Sequence, residues 1–223
     1  MMARNIVITG ANRGIGVALV MQYVNNGDFV FAVCRKTSLA LDNMTGITVI
    51  SGIDVASNID LTRLSEILAD VQIDILINNA GILTQETLGK INYAHVERQV
   101  LVNAIGPLNT TEKLLNQLNK GSKVALITSR MGSISDNGSG GSYGYRMSKA
   151  ALNAAGVSLA NDLKPRGIAV GLLHPGFVKT SLVNHQGDID TTEAASLLKQ
   201  RIDELSLDNT GSFRHSNGKT LAW

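Results

Sequence analysis

The sequence predicts one α/β domain over residues 1–223, a three-layer α/β/α sandwich around a doubly wound, mostly parallel sheet. Short β-branched runs alternate along the chain with longer segments whose apolar residues recur at helical spacing. The first of these runs ends in a glycine-rich turn that opens a helix, as in a Rossmann fold. A chain of 223 residues that is 44% hydrophobic can bury one sizeable core without needing a second domain.

The composition argues against several classes of function. The net charge is +2 and the basic residues are scattered, so the sequence has no footprint for nucleic acid or for an anionic membrane surface. Cys34 is the only cysteine, so we expect no disulfide within the chain and no cysteine metal site. No apolar stretch has the length of a secretory signal or of a membrane span. We therefore expect a cytoplasmic protein without a metal, a membrane partner or a nucleic-acid partner.

The first strand and its turn predict a site for a pyrophosphate. Residues 5–9 form a β-branched run, Gly10–Gly16 contains three glycines, and helical spacing begins at Val17. Such a turn lets the backbone approach a pyrophosphate and directs the helix N-terminus at its negative charge. The alternative is a tight turn that binds no ligand.

The second strand, residues 29–34, ends at Arg35 and Lys36. In a dinucleotide fold this position faces the adenosine ribose, where an acidic side chain would bind the 2′-hydroxyl. No acid is present here, and Arg35 with Arg13 suits a 2′-phosphate, because each charge-assisted contact contributes roughly 1.5–3 kcal/mol. The sequence therefore favours NADP(H) over NAD(H). The alternative is a basic loop that faces water.

The next two strands lead into polar segments. Residues 47–50 are followed by Asp54, which is either a turn residue or an acceptor for the adenine amino group. Ser57 is expected to cap the helix that follows. Residues 73–77 form a buried strand that continues into Asn78–Gly81, where small and amide residues permit close contact between the backbone and a ligand.

A long helical pattern then runs from about Tyr93 to Leu118, with Asn103 inside it and Pro107 expected to kink it. A polar amide amid apolar residues needs a partner. Asn103 is therefore either a satisfied core amide or a residue that orders water near a reaction centre.

The fifth strand, residues 123–128, brings Ser129–Gly132 to the edge of the sheet where open α/β proteins bind ligands. A loop of small residues, 136–142, leads to a helix that ends near Pro165. The remaining predicted elements are a strand over residues 168–173, a turn at Pro175 and Gly176, a helix over 190–205 that starts with a capping box, and an edge strand over 218–223.

Tyr145 and Lys149 are four residues apart, so in a helix their side chains share a face. A phenol has a reference pKa of about 10. An ammonium roughly 5 Å away, at an effective dielectric near 20, would contribute about 3 kcal/mol and lower that pKa by about 2 units. Tyr145 could then exchange protons at ordinary pH, whereas Tyr143 has Met147 at the same spacing. The alternative is a solvated helix face.

The ordered set of motifs resembles the short-chain dehydrogenase/reductase family over essentially the whole chain. The motifs are Thr9–Gly16, Asn78–Gly81, Asn103, Ser129, Tyr145 with Lys149, and Pro175-Gly176. The small carbonyl reductase branch that includes sniffer and C-factor proteins is resembled more narrowly, by Ser142–Lys149 together with Gly211–Phe213 and Gly218–Trp223. The resemblance implies an NADPH-dependent oxidoreductase that reduces a small-molecule ketone or aldehyde, and it implies a homodimer.

The same resemblance implies a role for each matching residue. Tyr145 would be the general acid, Ser129 would hydrogen-bond the substrate carbonyl, and Lys149 would lower the tyrosine pKa and bind the nicotinamide ribose. Asn103 would hold a water in a proton relay. The residues implied to bind the cofactor are Gly10, Asn12, Arg13, Gly14, Ile15, Gly16, Arg35, Asp54, Val55, Asn78, Ala80, Gly81, Tyr145, Lys149, Pro175, Gly176, Val178 and Thr180.

The segment from Ser129 to Tyr145 is a few residues longer than the family's usual spacing, so Ser133 is a rival by counting. Ser129 is preferred because Thr128-Ser129 followed by Gly132 matches the pattern at the end of the strand.

Two other functions are also compatible with the sequence. One is a sensor or signalling protein that binds NADP(H) with incidental turnover. The other, ranked last, is a nucleotide-sugar epimerase, which usually carries a larger C-terminal lobe.

Overall fold

The computed structural model describes residues 3–223, so residues 1 and 2 of the predicted domain lie outside the described residues. The strands are β1 Asn5–Thr9, β2 Phe29–Val33, β3 Ile47–Ile50, β4 Ile73–Asn78, β5 Leu118–Ile127, β6 Ala169–His174 and β7 Phe213–His215. The α-helices are α1 Gly14–Asn25, α2 Leu39–Asp42, α3 Asn58–Ile67, α4 Tyr93–Val100, α5 Gly106–Lys113, α6 Tyr143–Leu163 and α7 Thr191–Asp203.

Within the described residues the strands form one seven-stranded sheet in the order β3-β2-β1-β4-β5-β6-β7. All strand pairs are parallel. The chain order reverses between β1 and β4, which are neighbours in the sheet. Open parallel sheets bind ligands at such a switch point, outside the carboxyl ends of the strands. The fold thus places the loops that follow β1 and β4 at one edge.

Helices cover both faces of the sheet, which confirms the predicted three-layer α/β/α fold. One core cluster joins the sheet to the α3 and α6 side, and the other joins it to the α1 and α7 side. Helix α6 lies very close to the strands at Gly156, where an added Cβ would be 2.6 Å from Leu172 and 2.8 Å from Leu126. This close packing holds the helix that carries Tyr145 and Lys149 against β5 and β6.

The predicted helix caps at Ser57 and Asp190 are present. The Ser57 side chain accepts a hydrogen bond from the Asp60 amide, and Asp190 accepts one from the Glu193 amide. The long helix expected up to Leu118 is interrupted by a π-helical turn, Leu101–Ile105, and α5 ends at Lys113.

Two boundaries predicted from the sequence are wrong. Leu118 begins β5 instead of ending a helix, because its apolar side chain is buried by pairing with Ile73 on β4. The edge strand is Phe213–His215, which pairs with β6, and the segment 218–223 runs back beside it, joined by the antiparallel bridge between Arg214 and Thr220. Gly218 has a φ of +95°, a left-handed conformation that ends an extended strand.

Among the described helices, none combines the length and the apolar character needed to cross a membrane.

Candidate active site

A cleft of about 550 Å³ lies at the switch point of the sheet. It is formed by the turn after β1, the end of β2, the segments after β3, β4 and β6, and the first turns of α6. The predicted site residues that line it are Gly10, Asn12, Arg13, Gly14, Ile15, Gly16, Arg35, Asp54, Val55, Ala80, Gly81, Tyr145, Lys149, Pro175 and Thr180. Residues that are distant in sequence therefore meet in one crevice, as the motif order predicts.

The glycine turn requires glycine for two separate reasons. Gly10 has a φ of +64° and an added Cβ there would lie 2.7 Å from the Ala80 Cα. A Cβ on Gly16 would collide with the Gly10 carbonyl oxygen and lie 2.7 Å from the Asn79 amide nitrogen. Helix α1 begins here without a side-chain cap, so its first backbone amides are free to bind an anion.

Cationic side chains line the part of the cleft near β1 and β2. Arg13, Arg35 and Lys36 are exposed there, and within residues 3–223 none of the three forms an ion pair. The Asn12 side chain donates a 2.9 Å hydrogen bond to the Lys36 carbonyl, which ties the glycine turn to the end of β2. This arrangement leaves positive charge available for an anionic ligand.

Asp54 lies in the same part of the cleft as an ionised acceptor. It accepts a 3.0 Å hydrogen bond from the Ala56 amide and forms a 2.6 Å ion pair with Arg98. Burial acts to raise the pKa of Asp54, but these two contacts outweigh it and hold the pKa below its ordinary value. Asp54 therefore stabilises the turn after β3 and keeps a carboxylate at the cleft, and its predicted role as an acceptor for the adenine amino group stays a prediction.

Tyr145 and Lys149 share one face of α6 at the wall of the cleft. The Lys149 ammonium lies 5.8 Å from the centre of the Tyr145 ring and donates a 2.9 Å hydrogen bond to the Ile127 carbonyl. Burial lowers the pKa of Lys149 to about 8. The two groups therefore meet as their spacing predicts.

The predicted direction of the Tyr145 pKa shift is wrong for the protein without a ligand. Burial raises the pKa of Tyr145 to about 12, and a hydrogen bond with Ser129 acts in the opposite direction. Desolvation disfavours the phenolate, and the nearby ammonium is engaged by the Ile127 carbonyl. Tyr145 is accordingly protonated at neutral pH, which is the state required of a proton donor.

The geometry distinguishes Ser129 from Ser133. The hydroxyl of Ser129 accepts from the Met131 amide at 3.1 Å and interacts with Tyr145. Ser133 is only 3% exposed, and its hydroxyl bonds the Asp136 amide and the Ser135 hydroxyl. Ser129 is therefore the serine placed beside the tyrosine, and the additional residues of the segment belong to the loop that follows.

Asn103 is a fully buried amide within the π-helical turn. Its oxygen accepts from the Ile82 amide at 2.8 Å, and its nitrogen donates to the Ile82 carbonyl at 2.8 Å and to the Ser148 hydroxyl at 3.0 Å. The side chain thus links the segment after β4 to α6. Its predicted role in holding a water stays a prediction.

Five predicted site residues do not line the cleft, namely Asn78, Asn103, Ser129, Gly176 and Val178. The Asn78 side chain lies on the other face of the strand and donates to the Thr111 hydroxyl at 3.1 Å. Asn79 takes the place at the cleft and donates to the Thr9 and Gly10 carbonyls. The alternation of side chains along β4 could have predicted this difference.

Several residues that line the cleft were not predicted as site residues. They are Val33, Cys34, Ile53, Ile82, Val102, Ile127, Thr128 and Ser181. Most of them are apolar residues at strand ends, in the segments that follow strands or in the π-helical turn, which no motif distinguishes from ordinary core residues. Among residues 3–223, no cluster of three or more His, Cys, Asp and Glu side chains is arranged to hold a metal ion.

Comparison with known proteins gives consistent results. The family model described as short chain dehydrogenase matches residues 4–190. A curated relative from Rhodococcus sp. (strain AD45), a 1-hydroxy-2-glutathionyl-2-methyl-3-butene dehydrogenase, is 38% identical over 98% of this chain and 99% of its own length. C-signal from Myxococcus xanthus is 40% identical over 68% of this chain and 93% of its own length.

Solved structures show the same similarity. The carbonyl reductase Sniffer of D. melanogaster superposes with a TM-score of 0.91 at 29% identity, over 100% of both chains. An NADPH-bound carbonyl reductase from chicken fatty liver superposes with a TM-score of 0.90 at 26% identity, also over 100% of both chains.

Proposed function

The chain belongs to the short-chain dehydrogenase/reductase family, and from this premise we propose that it is an NADP(H)-dependent carbonyl reductase acting on a small ketone or aldehyde. One observation carries the proposal. Tyr145 and Lys149 meet at one part of a cleft, with Ser129 beside Tyr145, and the other part holds Arg13 and Arg35, which form no ion pair within residues 3–223. The first group suits carbonyl chemistry, and the second suits a 2′-phosphate.

The residues present fit this cofactor. The glycine turn leaves no room for a Cβ at Gly10 or Gly16, and the uncapped start of α1 offers free amides, so a pyrophosphate can approach there. We assign the 2′-phosphate to Arg13 and Arg35. Asp54 and Val55 are assigned to the adenine, and Thr180 to the carboxamide. NADPH bound in this way would supply the hydride.

We assign two tasks to the chain's own residues, namely donating the proton and stabilising the carbonyl oxygen of the substrate. Hydride addition to a carbonyl carbon leaves negative charge on the oxygen, which becomes a hydroxyl when it takes one proton. Tyr145 donates that proton, and the Ser129 hydroxyl donates a hydrogen bond to the same oxygen. Lys149 binds the nicotinamide ribose and supplies positive charge beside the phenol. Asn103 fixes the backbone between the cleft and α6.

The name of the Rhodococcus relative supports including alcohols in the substrate class. That protein is named as a dehydrogenase of a hydroxy compound that carries a glutathionyl group. We propose that this chain also catalyses the reverse direction, in which Tyr145 accepts the alcohol proton.

The test is a comparison of NADPH with NADH across aromatic, quinone and aliphatic carbonyls, with a glutathionyl alcohol and NADP⁺ as the reverse reaction. We expect carbonyl-dependent loss of reduced nicotinamide with NADPH and much weaker loss with NADH. Tight NADPH binding without turnover in either direction would instead support the sensor function.

The remaining parts of the proposal concern the molecule as a whole. We propose a single-domain, cytoplasmic homodimer. Exposed apolar side chains of Leu101, Ile105 and Leu108 beside α6 support pairing of the α4–α5 segment and α6 with a second copy. Light scattering coupled to size exclusion measures the subunit number, and a monomer at micromolar concentration contradicts the homodimer.

A further inference from the structure

A buried carboxylate outside the proposed chemistry lies beside the helix that carries Tyr145. Glu86, in the segment between β4 and α4, is only 4% exposed. Within residues 3–223 it forms no ion pair with a cation. Burying a carboxylate is costly unless hydrogen bonds compensate for the lost water. The surroundings of Glu86 must therefore supply donors.

Three donors surround the Glu86 carboxylate. Its Oε1 accepts from the Thr84 hydroxyl at 2.5 Å and from the Gln99 amide nitrogen at 2.9 Å, and its Oε2 accepts from the Gly144 backbone amide at 3.0 Å. The Glu86 backbone carbonyl also accepts from the Ser142 amide at 3.0 Å. The Gln99 nitrogen and the Gly144 amide can only donate, and they contact different carboxylate oxygens, so each oxygen of Glu86 faces an N–H donor.

These contacts cap the N-terminus of α6. Its N-cap residue, Ser142, is left-handed with a φ of +48° and makes no side-chain cap. Glu86 instead satisfies the Ser142 amide with its backbone carbonyl and the Gly144 amide with its carboxylate, and its negative charge is favourable at the positive end of this 21-residue helix. Gly144, which donates to Glu86, directly precedes Tyr145.

Gln99 fixes the orientation of the carboxylate. Its side chain is fully buried, and its oxygen accepts from the Thr84 amide at 3.0 Å while its nitrogen donates to Glu86. A Cβ on Gly144 would collide with this nitrogen and would lie 3.0 Å from the Val96 Cα. The start of α6 is therefore held against α4 with no room to shift.

We propose that Glu86 is a positioning residue that sets the location of Tyr145 by capping the first turn of α6 through the Gly144 amide. The proposal rests on the role of Tyr145 in the proposed function. It differs from a purely structural role in its consequence: loss of the cap displaces the phenol within an otherwise folded protein, so it lowers kcat more than it weakens cofactor binding.

The first test is Glu86→Gln in the full-length protein. In either orientation, the NH₂ group of the introduced glutamine faces an N–H donor, either that of Gln99 or that of Gly144, so one hydrogen bond is lost. We expect roughly a 10- to 100-fold fall in kcat, because small misplacements of reacting groups cost that much. NADPH affinity should remain near that of the unmodified protein. Exchange of the Gly144 amide hydrogen should be about tenfold faster. Glu97→Gln is the matched control, since Glu97 lies on the exposed face of α4.

The second test exchanges the carboxylate at position 86 with the amide at position 99, by combining Glu86→Gln with Gln99→Glu. The amide at position 86 can now donate to the carboxylate at position 99 and to the Thr84 hydroxyl. Its oxygen still accepts from Gly144. The double variant should recover most of the lost kcat and the slow exchange at Gly144, whereas a role of Glu86 unrelated to this network predicts no recovery.

The outcomes separate this inference from the proposed function. Unchanged amide exchange at Gly144 in Glu86→Gln overturns the capping role whatever the activity. Faster exchange with unchanged kcat overturns the positioning role. If the unmodified protein reduces no carbonyl, the proposed function fails, while amide exchange still decides whether Glu86 caps α6.

Discussion

The Lys149 ammonium lies 5.8 Å from the centre of the Tyr145 ring and is anchored by the Ile127 carbonyl at 2.9 Å. Burial lowers the pKa of this lysine to about 8 and raises that of the tyrosine to about 12. Both shifts favour the neutral forms. Near pH 7 the pair is therefore a protonated phenol beside an ammonium that loses its proton more easily than an exposed lysine does.

Tyr145→Phe removes the proposed proton donor and keeps the ring. We expect kcat to fall by about 10²–10⁴-fold, since general acid catalysis typically contributes that much. NADPH affinity should stay nearly unchanged, because the ring still fills the same volume. Steady-state assays with a fluorescence titration of NADPH measure both quantities. Tyr143→Phe is the control, and comparable turnover by both variants would refute the assignment.

Ser129→Ala and Ser133→Ala separate the two rival serines. Loss of a donor to a developing oxyanion typically costs about 10²–10³-fold in kcat, so we expect a loss of this size for Ser129→Ala. The Ser133 hydroxyl forms hydrogen bonds only within its own loop, so Ser133→Ala should lower the melting temperature and leave kcat nearly unchanged. The reverse ranking of kcat values would move the proposed role to Ser133.

Arg35→Ala tests the 2′-phosphate assignment. One charge-assisted contact is worth about 1.5–3 kcal/mol, so the Kd for NADPH should rise by about 10- to 100-fold. The Kd for NADH should change little, because NADH lacks the phosphate. Calorimetric titration at low and moderate salt measures both, and Lys90→Ala supplies an exposed cation away from the cleft as control. An equal loss for both nucleotides would contradict the assignment.

Local sequence patterns predict the elements and the location of the cleft well. Glycine and arginine at the ends of the first two strands, and the Tyr145–Lys149 spacing, are features of a few consecutive residues, and the fold brings them together at the switch point. The edge strand was misplaced because Phe213, not the 218–223 segment, is buried beside β6. Pairing of that kind depends on the completed sheet.

The site features that the sequence does not reveal depend on contacts between distant segments. The pKa of Tyr145 rises because the assembled protein removes water from the phenol, which a spacing argument does not include. Glu86 and Gly144 are 58 residues apart, and no motif connects them. Asn78 and Asn79 are adjacent amides that alternation along β4 places on opposite faces, but the face that borders the cleft is set by the assembled sheet.

Lys149→Met tests the burial of the ammonium through the pH dependence of stability. The lysine pKa is 10.5 in an unfolded chain and about 8 in the folded protein, so between these values the unfolded state binds more protons. The contribution of Lys149 to the unfolding free energy is thus unfavourable below pH 8 and becomes less so as the pH rises towards 10. A shift of this size corresponds to about 3 kcal/mol.

The measurement is urea unfolding of both proteins from pH 7 to pH 10, and because both proteins carry the same tyrosines, the difference between them reports the titration of Lys149. Lys149→Met should be the more stable at pH 7, and its advantage should shrink by up to about 3 kcal/mol at pH 10, because the unmodified lysine is then neutral when folded. Turnover should be lost at every pH, since the variant cannot supply the proposed positive charge beside Tyr145. A stability difference that does not change with pH would show that Lys149 keeps an ordinary pKa in the folded protein.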